Sequence, residues 1–206
     1  VEGYYKLFRH LLDFKNEISY STDVSDLFYV GSGRAYGAEL FIQKKAGDFT
    51  GIIGYSLAWT FRQYPELNDG EEFEPKYDRR HDLSVALNYQ LDENWKLGMV
   101  FTYATGQAYT DGVGRYDIDI NGRPYEITLP GKLFNKRLSP YHRADVSVTK
   151  RATLFGLHGS WYVQVYNVYN RRNVWFKEFD NSRNPPQIAD VKLLPIIPTF
   201  GFDFTF

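Results

Sequence analysis

The C-terminal run Pro198-Thr199-Phe200-Gly201-Phe202-Asp203-Phe204-Thr205-Phe206 constrains the fold of this chain more than any other stretch. In a β-strand successive side chains point to opposite faces. Phe200, Phe202, Phe204 and Phe206 therefore share one face, and Gly201, Asp203 and Thr205 share the other. A strand with bulky apolar groups outward and small polar groups inward is what a transmembrane β-barrel requires. The competing reading is the closing strand of a soluble β-sandwich.

The same alternation recurs upstream. Over residues 49–61, Phe49, Ile53, Tyr55, Leu57, Trp59 and Phe61 share a face with Gly51, and Thr50, Ile52, Gly54, Ser56, Ala58 and Thr60 take the other. Over 83–89, Leu83, Val85, Leu87 and Tyr89 oppose Ser84, Ala86 and Asn88. Over 95–103, Trp95, Leu97, Met99, Phe101 and Tyr103 oppose Lys96, Gly98, Val100 and Thr102. A period of two excludes helices for these segments. Trp59, Phe61, Tyr89, Trp95 and Tyr103 fall near strand ends, where the aromatic girdles of membrane barrels lie.

The connections divide by length. Residues 45–48, 91–94 and 151–156 read as short turns, while 63–80, 105–143 and 169–195 are long, polar and rich in Gly and Pro. Short and long connections alternate, which is the asymmetry of outer-membrane barrels with their long loops outside the cell. The expected fold is all-β: an antiparallel transmembrane β-barrel segment of about eight strands, from one near residues 3–9 through three hairpins to the terminal strand. The turns would be periplasmic and the loops extracellular.

Composition fits. Mean hydropathy is −0.44, and no apolar run reaches the length of a spanning helix, so helical membrane proteins are excluded while barrels, apolar on one face only, are not. A net charge of −1 argues against nucleic acid as a partner. The absence of cysteine is compatible with an oxidising cell-envelope compartment. The start at Val1, without a charged-then-apolar leader, reads as a mature product or a fragment.

Several strings, in order, resemble the TonB-dependent outer-membrane receptors, with a Bacteroidetes flavour. They are Gly33-Arg34-Ala35-Tyr36-Gly37-Ala38-Glu39-Leu40-Phe41-Ile42-Gln43-Lys44-Lys45, then Tyr77-Asp78-Arg79-Arg80-His81-Asp82. Ser139-Pro140-Tyr141-His142-Arg143-Ala144-Asp145, Tyr166-Asn167-Val168-Tyr169-Asn170-Arg171-Arg172-Asn173 and the final Phe206 complete the set. The resemblance implies a barrel of about 22 strands occluded by a plug domain and energised through TonB. No segment of residues 1–206 matches a plug, so the chain is expected to be the C-terminal part of such a receptor. Its implied partners are outer-membrane lipid, the plug and earlier strands of the same receptor, TonB acting through that plug, the barrel-assembly machinery and a surface lipoprotein. Phe202, Phe204 and Phe206 would form the insertion signal. The alternative is a complete eight-stranded outer-membrane barrel acting as adhesin or anchor, and a third reading is a soluble carbohydrate-binding β-sandwich.

Arg79, Arg80 and His81 are candidates for a ligand-facing wall, against the structural reading in which Asp78, Arg80 and Asp82 pair into a salt-bridge ladder. The loop 174–195 sets Trp175, Phe176 and Phe179 beside Lys177, Arg183 and Lys192, which suits stacking on sugars, an anionic ligand or a protein partner. The carboxylates of 66–78 read as a solvated loop. Asp117, Asp119, Asn121 and Gly122 open like a calcium loop, but position twelve is Thr128, and Asn121-Gly122 reads better as a hairpin turn. The four histidines show no metal-ligand spacing and no nucleophile motif appears, so neither a catalytic residue, a metal nor a cofactor is expected.

Overall fold

The computed structural model of the chain describes residues 1–15, 24–120, 122–154, 156–180 and 187–205. Its strands in chain order are β1 (Glu2–Phe14), β2 (Phe28–Lys44), β3 (Phe49–Gln63), β4 (His81–Gln90), β5 (Trp95–Ala104), β6 (Ala108–Tyr109) and β7 (Gly112–Ile120). They continue as β8 (Arg123–Pro130), β9 (Lys136–Arg137), β10 (Tyr141–Leu154), β11 (Leu157–Tyr166), β12 (Val174–Asp180), β13 (Gln187–Lys192) and β14 (Ile197–Thr205). Eight of them form one antiparallel sheet in the order β1-β2-β3-β4-β5-β10-β11-β14. The sheet is open, with β1 and β14 at its edges. Three pairs, β6–β9, β7–β8 and β12–β13, lie within the long connections.

The register carries one chemical face across the whole sheet. One row runs Phe49, Tyr89, Leu97, Val148, Val163, Phe200, and the next runs Leu87, Met99, Val146, Val165, Pro198. The reverse face carries Asn88, Gly98, Ser147, Gln164 and Thr199 in one row and Lys96, Thr149, Tyr162 and Gly201 in another. Aromatic groups bound the apolar face at both ends. At the loop end Tyr36 stacks on Trp59 at 5.3 Å and on Tyr5 at 6.1 Å; at the turn end Trp95 meets Trp161 edge-on at 5.5 Å.

No second layer packs on the apolar face among the described residues. A compact 24.0 kDa monomer exposes about 9,900 Å², whereas this chain exposes 14212 Å². A β-sandwich needs two sheets packed face to face, and the structure has one large sheet with its apolar face uncovered. The buried hydrophobic residues are few, and Tyr64, Phe73, Ala104, Ala108 and Leu138 all lie at the loop end. Core formation has moved into the loops.

In β1 the pattern departs from strict alternation. His10 takes φ 54, and the pairing slips between Arg9 and Leu11. This bulge changes the phase of the strand. Leu12 and Phe14, opposite Val30 and Phe28, thereby join Tyr5 and Leu7 on the apolar face although their parity in sequence is opposite.

The expected hairpins and the terminal strand are all present. Three boundaries differ. The first strand runs to Phe14, because the bulge restores the apolar pattern that alternation loses at Arg9. The third hairpin begins at Tyr141, so Arg143 belongs to the sheet and pairs with Thr102. The connections 105–143 and 169–195, expected as long polar loops, contain paired strands: β7–β8 is the hairpin expected at Asn121-Gly122, while β6–β9 and β12–β13 are additional. In β7–β8 Ile118 pairs with Tyr125 and Tyr116 with Ile127 around a two-residue turn, whose Gly122 adopts φ 77 and whose Asn121 lies outside the described residues.

Candidate functional site

Above the sheet's loop end the long connections fold into a cap. The segment after β3 turns back along the β3 edge: Arg62 and Phe73 exchange backbone hydrogen bonds of 2.9 Å, and Ala58 N donates to Arg80 O at 3.0 Å. Phe73 packs between Tyr64 and Phe134, with ring centroids 6.2 and 5.9 Å away. Burial raises the Tyr64 phenol above its ordinary pKa, with the Arg62 charge opposing.

The acidic residues of 66–78 divide: Glu66, Asp69 and Glu71 are solvated as expected, while Glu72 and Glu74 are part-buried and Asp78 is buried. Every one is paired: Glu66 with Lys15 at 3.1 Å, Asp69 and Glu71 with Lys132 at 3.2 and 2.5 Å, and Glu72 with Arg34 at 2.6 Å. Glu74 and Asp78 both hold Arg137, and Arg80 lies 2.5 Å from Glu74 and 3.7 Å from Asp78. Asp78 is the hub. It is 1% exposed, and its Oδ1 accepts the Thr60 backbone N–H at 2.8 Å. Burial disfavours the Arg137 cation, but hydrogen bonds to Glu74 and Asp78 outweigh that effect and leave its pKa raised. A buried carboxylate is tolerated only when paired and hydrogen-bonded in this way.

A second hub ties the connection after β11 to β10. Asn167 is 1% exposed with φ 52; its backbone N–H donates to Asp145 at 2.8 Å, and its amide donates to Arg171 O and Leu194 O at 2.9 and 3.1 Å. Asn173 Nδ2 donates to His142 O at 2.8 Å, and Arg171 reaches Pro140 O at 3.0 Å. The string Tyr166-Asn167-Val168-Tyr169-Asn170-Arg171-Arg172-Asn173 is thus a hydrogen-bonded turn that fixes the root of the β12–β13 hairpin.

The three residues of the Arg79-Arg80-His81 string part company. Arg80 is absorbed in the ion cluster and lies over Trp59 at 4.8 Å. His81 opens β4 opposite Leu57 on the apolar face, with Nδ1 2.8 Å from the Tyr55 hydroxyl. Arg79 stands 3.9 Å from Asp82 and lines a cleft with Tyr141 and Trp175. The ladder Asp78–Arg80–Asp82 is therefore incomplete: Asp82 pairs with Arg79, and Arg80 takes Glu74 with Asp78.

Trp175 and Phe176 meet edge-on at 5.1 Å. Trp175 lines two clefts of about 200 and 310 Å³; the first holds Arg79 and Ser139, the second Lys76, Tyr109, Phe134 and Phe176, and Gln107 and Leu138 are likewise common to both. Arg183 and Phe206 lie outside the described residues. Phe202 and Phe204 stack 6.0 Å apart at the turn end of β14, opposite Trp161 and Gly159 and far from the cap. Among the described residues no group of His, Asp and Glu is arranged to hold a metal.

Arg137, Lys132 and Lys76 escape sequence reasoning. For Lys132 and Arg137 the signal is charge complementarity to the carboxylates of 66–78, but nothing local sets that pairing. The chain matches no protein-family model, no curated protein and no solved structure.

Proposed function

We propose that this chain is a wall segment of an outer-membrane β-barrel, the C-terminal part of a TonB-dependent transporter, whose cap contributes to the extracellular mouth. The observation that carries this reading is the uncovered apolar face bounded at both ends by aromatic side chains. From Phe49 to Trp59 on β3, at about 3.3 Å per residue, the strand covers about 33 Å. Tilted by about 40°, it spans about 25 Å, the height of the apolar band on a membrane barrel. Lys44 over Phe49 and Lys150 over Trp95, at 5.8 and 4.8 Å, place cations beside the turn-end aromatics as an interfacial belt requires.

Two features favour a wall segment over a closed eight-stranded adhesin or anchor. The edges β1 and β14 are unpaired with each other, and neighbouring strands in the rest of the receptor would occupy them. The hairpin-bearing connections also make a cap far larger than the turns opposite. The role is non-enzymatic: substrate is captured at the cap while the plug and TonB, outside this segment, supply the energised step.

Residues 1–206 contain no cysteine, so a single cysteine placed here is the one thiol of this segment, and labelling is read against the unsubstituted protein. In intact cells Val113→Cys in the cap is expected to react with a membrane-impermeant maleimide, and Ala46→Cys in a turn only after the outer membrane is opened. Val85→Cys and Leu97→Cys should stay protected in membranes and react after denaturation. Equal labelling of Val85→Cys and Val113→Cys in the native protein would refute a lipid-facing wall. The native polypeptide is expected to be several-fold larger than 24.0 kDa; a native species near that mass would leave the small barrel instead.

A further inference from the structure

We propose that the paired clefts lined by Trp175 form a binding site for an acidic oligosaccharide, one with carboxylate or sulfate groups on its sugar rings. This rests on the reading of the cap as the ligand mouth and names the substrate class for it. Trp175 is 59% exposed on a structured hairpin, held by Lys177 to Asp190 at 2.7 Å and edge-on against Phe176. A large exposed indole face shared by two clefts is a platform for the C–H faces of successive sugar rings. The two clefts together fall within the roughly 300–1,000 Å³ of small-molecule sites.

Their polar lining selects the sign of the ligand. Lys76, Arg79 and Lys177 line the clefts, and no carboxylate does among the described residues. Lys177 is neutralised by Asp190, but among the described residues Lys76 has no ion pair and Arg79 only the 3.9 Å contact to Asp82. The surrounding carboxylates are consumed elsewhere, Glu74 and Asp78 by Arg80 and Arg137. Two available cations thus face the clefts, one in each. Gln107, Thr105, Ser139 and Thr110 add neutral hydrogen-bonding groups suited to hydroxyls.

The floor is fixed in advance. Arg137 donates to Gly106 O at 3.1 Å, and Leu138 N donates to Gln107 O at 2.9 Å, so the hub that satisfies Asp78 also sets the backbone beneath the ligand. A ligand entering such a floor pays little for ordering the protein.

The test is calorimetric titration of the native protein, extracted in detergent, with oligogalacturonate and with a neutral galactan oligosaccharide of equal length. Saturable binding of the acidic probe is expected, with little from the neutral one. Lys76→Gln with Arg79→Gln, both outside the buried hub, should weaken the acidic probe roughly tenfold, as loss of charge-assisted contacts implies, and Trp175→Ala should abolish it. Equal affinity for the neutral probe, displacement by inorganic sulfate alone, or no binding by a protein with intact β-sheet signal would each overturn the proposal. Cysteine labelling reads the wall separately, so a site without a membrane wall, or a wall without a site, is recognised as such.

Discussion

Phe200 on the edge strand is 78% exposed, while Tyr64, where the cap begins, is buried completely. The two regions are built for different surroundings. The wall is a single layer held by its backbone ladder, and its apolar side chains touch neighbours in the same sheet. The cap has a small core around Tyr64, Phe73 and Phe134, buried polar hubs at Asp78 and Asn167, and an ion-pair network reaching Lys15, Arg34 and Lys132. The cap buries apolar side chains against one another, whereas the sheet leaves its apolar face uncovered.

The largest effect is expected at the hub. Asp78→Ala leaves Arg80 and Arg137 with Glu74 as their one shared carboxylate and orphans the Thr60 N–H, and breaking a buried pair costs about 3 kcal/mol. Limited proteolysis should then cut within 64–80 and 105–140 while the sheet's circular-dichroism signal persists; loss of both together would erase the distinction. Phe73→Ala should follow at about 3 kcal/mol, again felt in the cap and equally in detergent or bilayer. Phe200→Ala sharpens the comparison from the other side. It should cost about 2 kcal/mol in a bilayer but little for a sheet in water, and an equal cost in both media would mean that protein covers that face.

The smallest effect is pH dependence in the cap. Asp111 is held below the ordinary carboxylate range, foremost by the hydrogen bond from Lys136. A lowered folded pKa gives stability that is present above about 3.9 and lost as pH falls through the folded value. Lys132, Lys136 and Lys177 are raised, chiefly by hydrogen bonds to Glu71, Asp111 and Asp190. Their contribution is complete below about 10.4 and is lost as pH rises through the raised values. Hydrogen exchange of cap amides should quicken at both extremes, with Asp111→Asn flattening the acid limb.

Wall and cap were unequally legible in the sequence. Wherever one face is apolar, period two announces both strand and face, so Leu83, Val85, Leu87 and Tyr89 declared β4 without any other information. In β1 the signal failed after Arg9, because the bulge at His10 puts Leu12 and Phe14 out of phase with Tyr5 and Leu7. The cap was read as polar loop because its order comes from pairings distant in sequence. Arg137 meets Asp78 at a sequence separation of 59, and Asn68 Nδ2 reaches Leu133 O at a separation of 65. For the candidate site, Trp175 and Phe176 were found from composition and Arg79 from its string, but Lys76, Gln107 and Tyr109 come to it only through tertiary folding.

The slip at His10 also sets a rule for how this chain tolerates changes in length. Removing that one residue would make Arg9–Ser32 and Leu11–Gly31 consecutive pairs and leave Leu12 and Phe14 on the apolar side, whereas removing a single residue from a regularly paired stretch would reverse everything beyond it. Removing two neighbours from a strand would preserve sidedness and only shorten it. In the short turns, where no face is at stake, odd and even changes weigh alike. Length variation in such a protein is therefore expected to follow parity within the strands and to be free of it in the short turns between them.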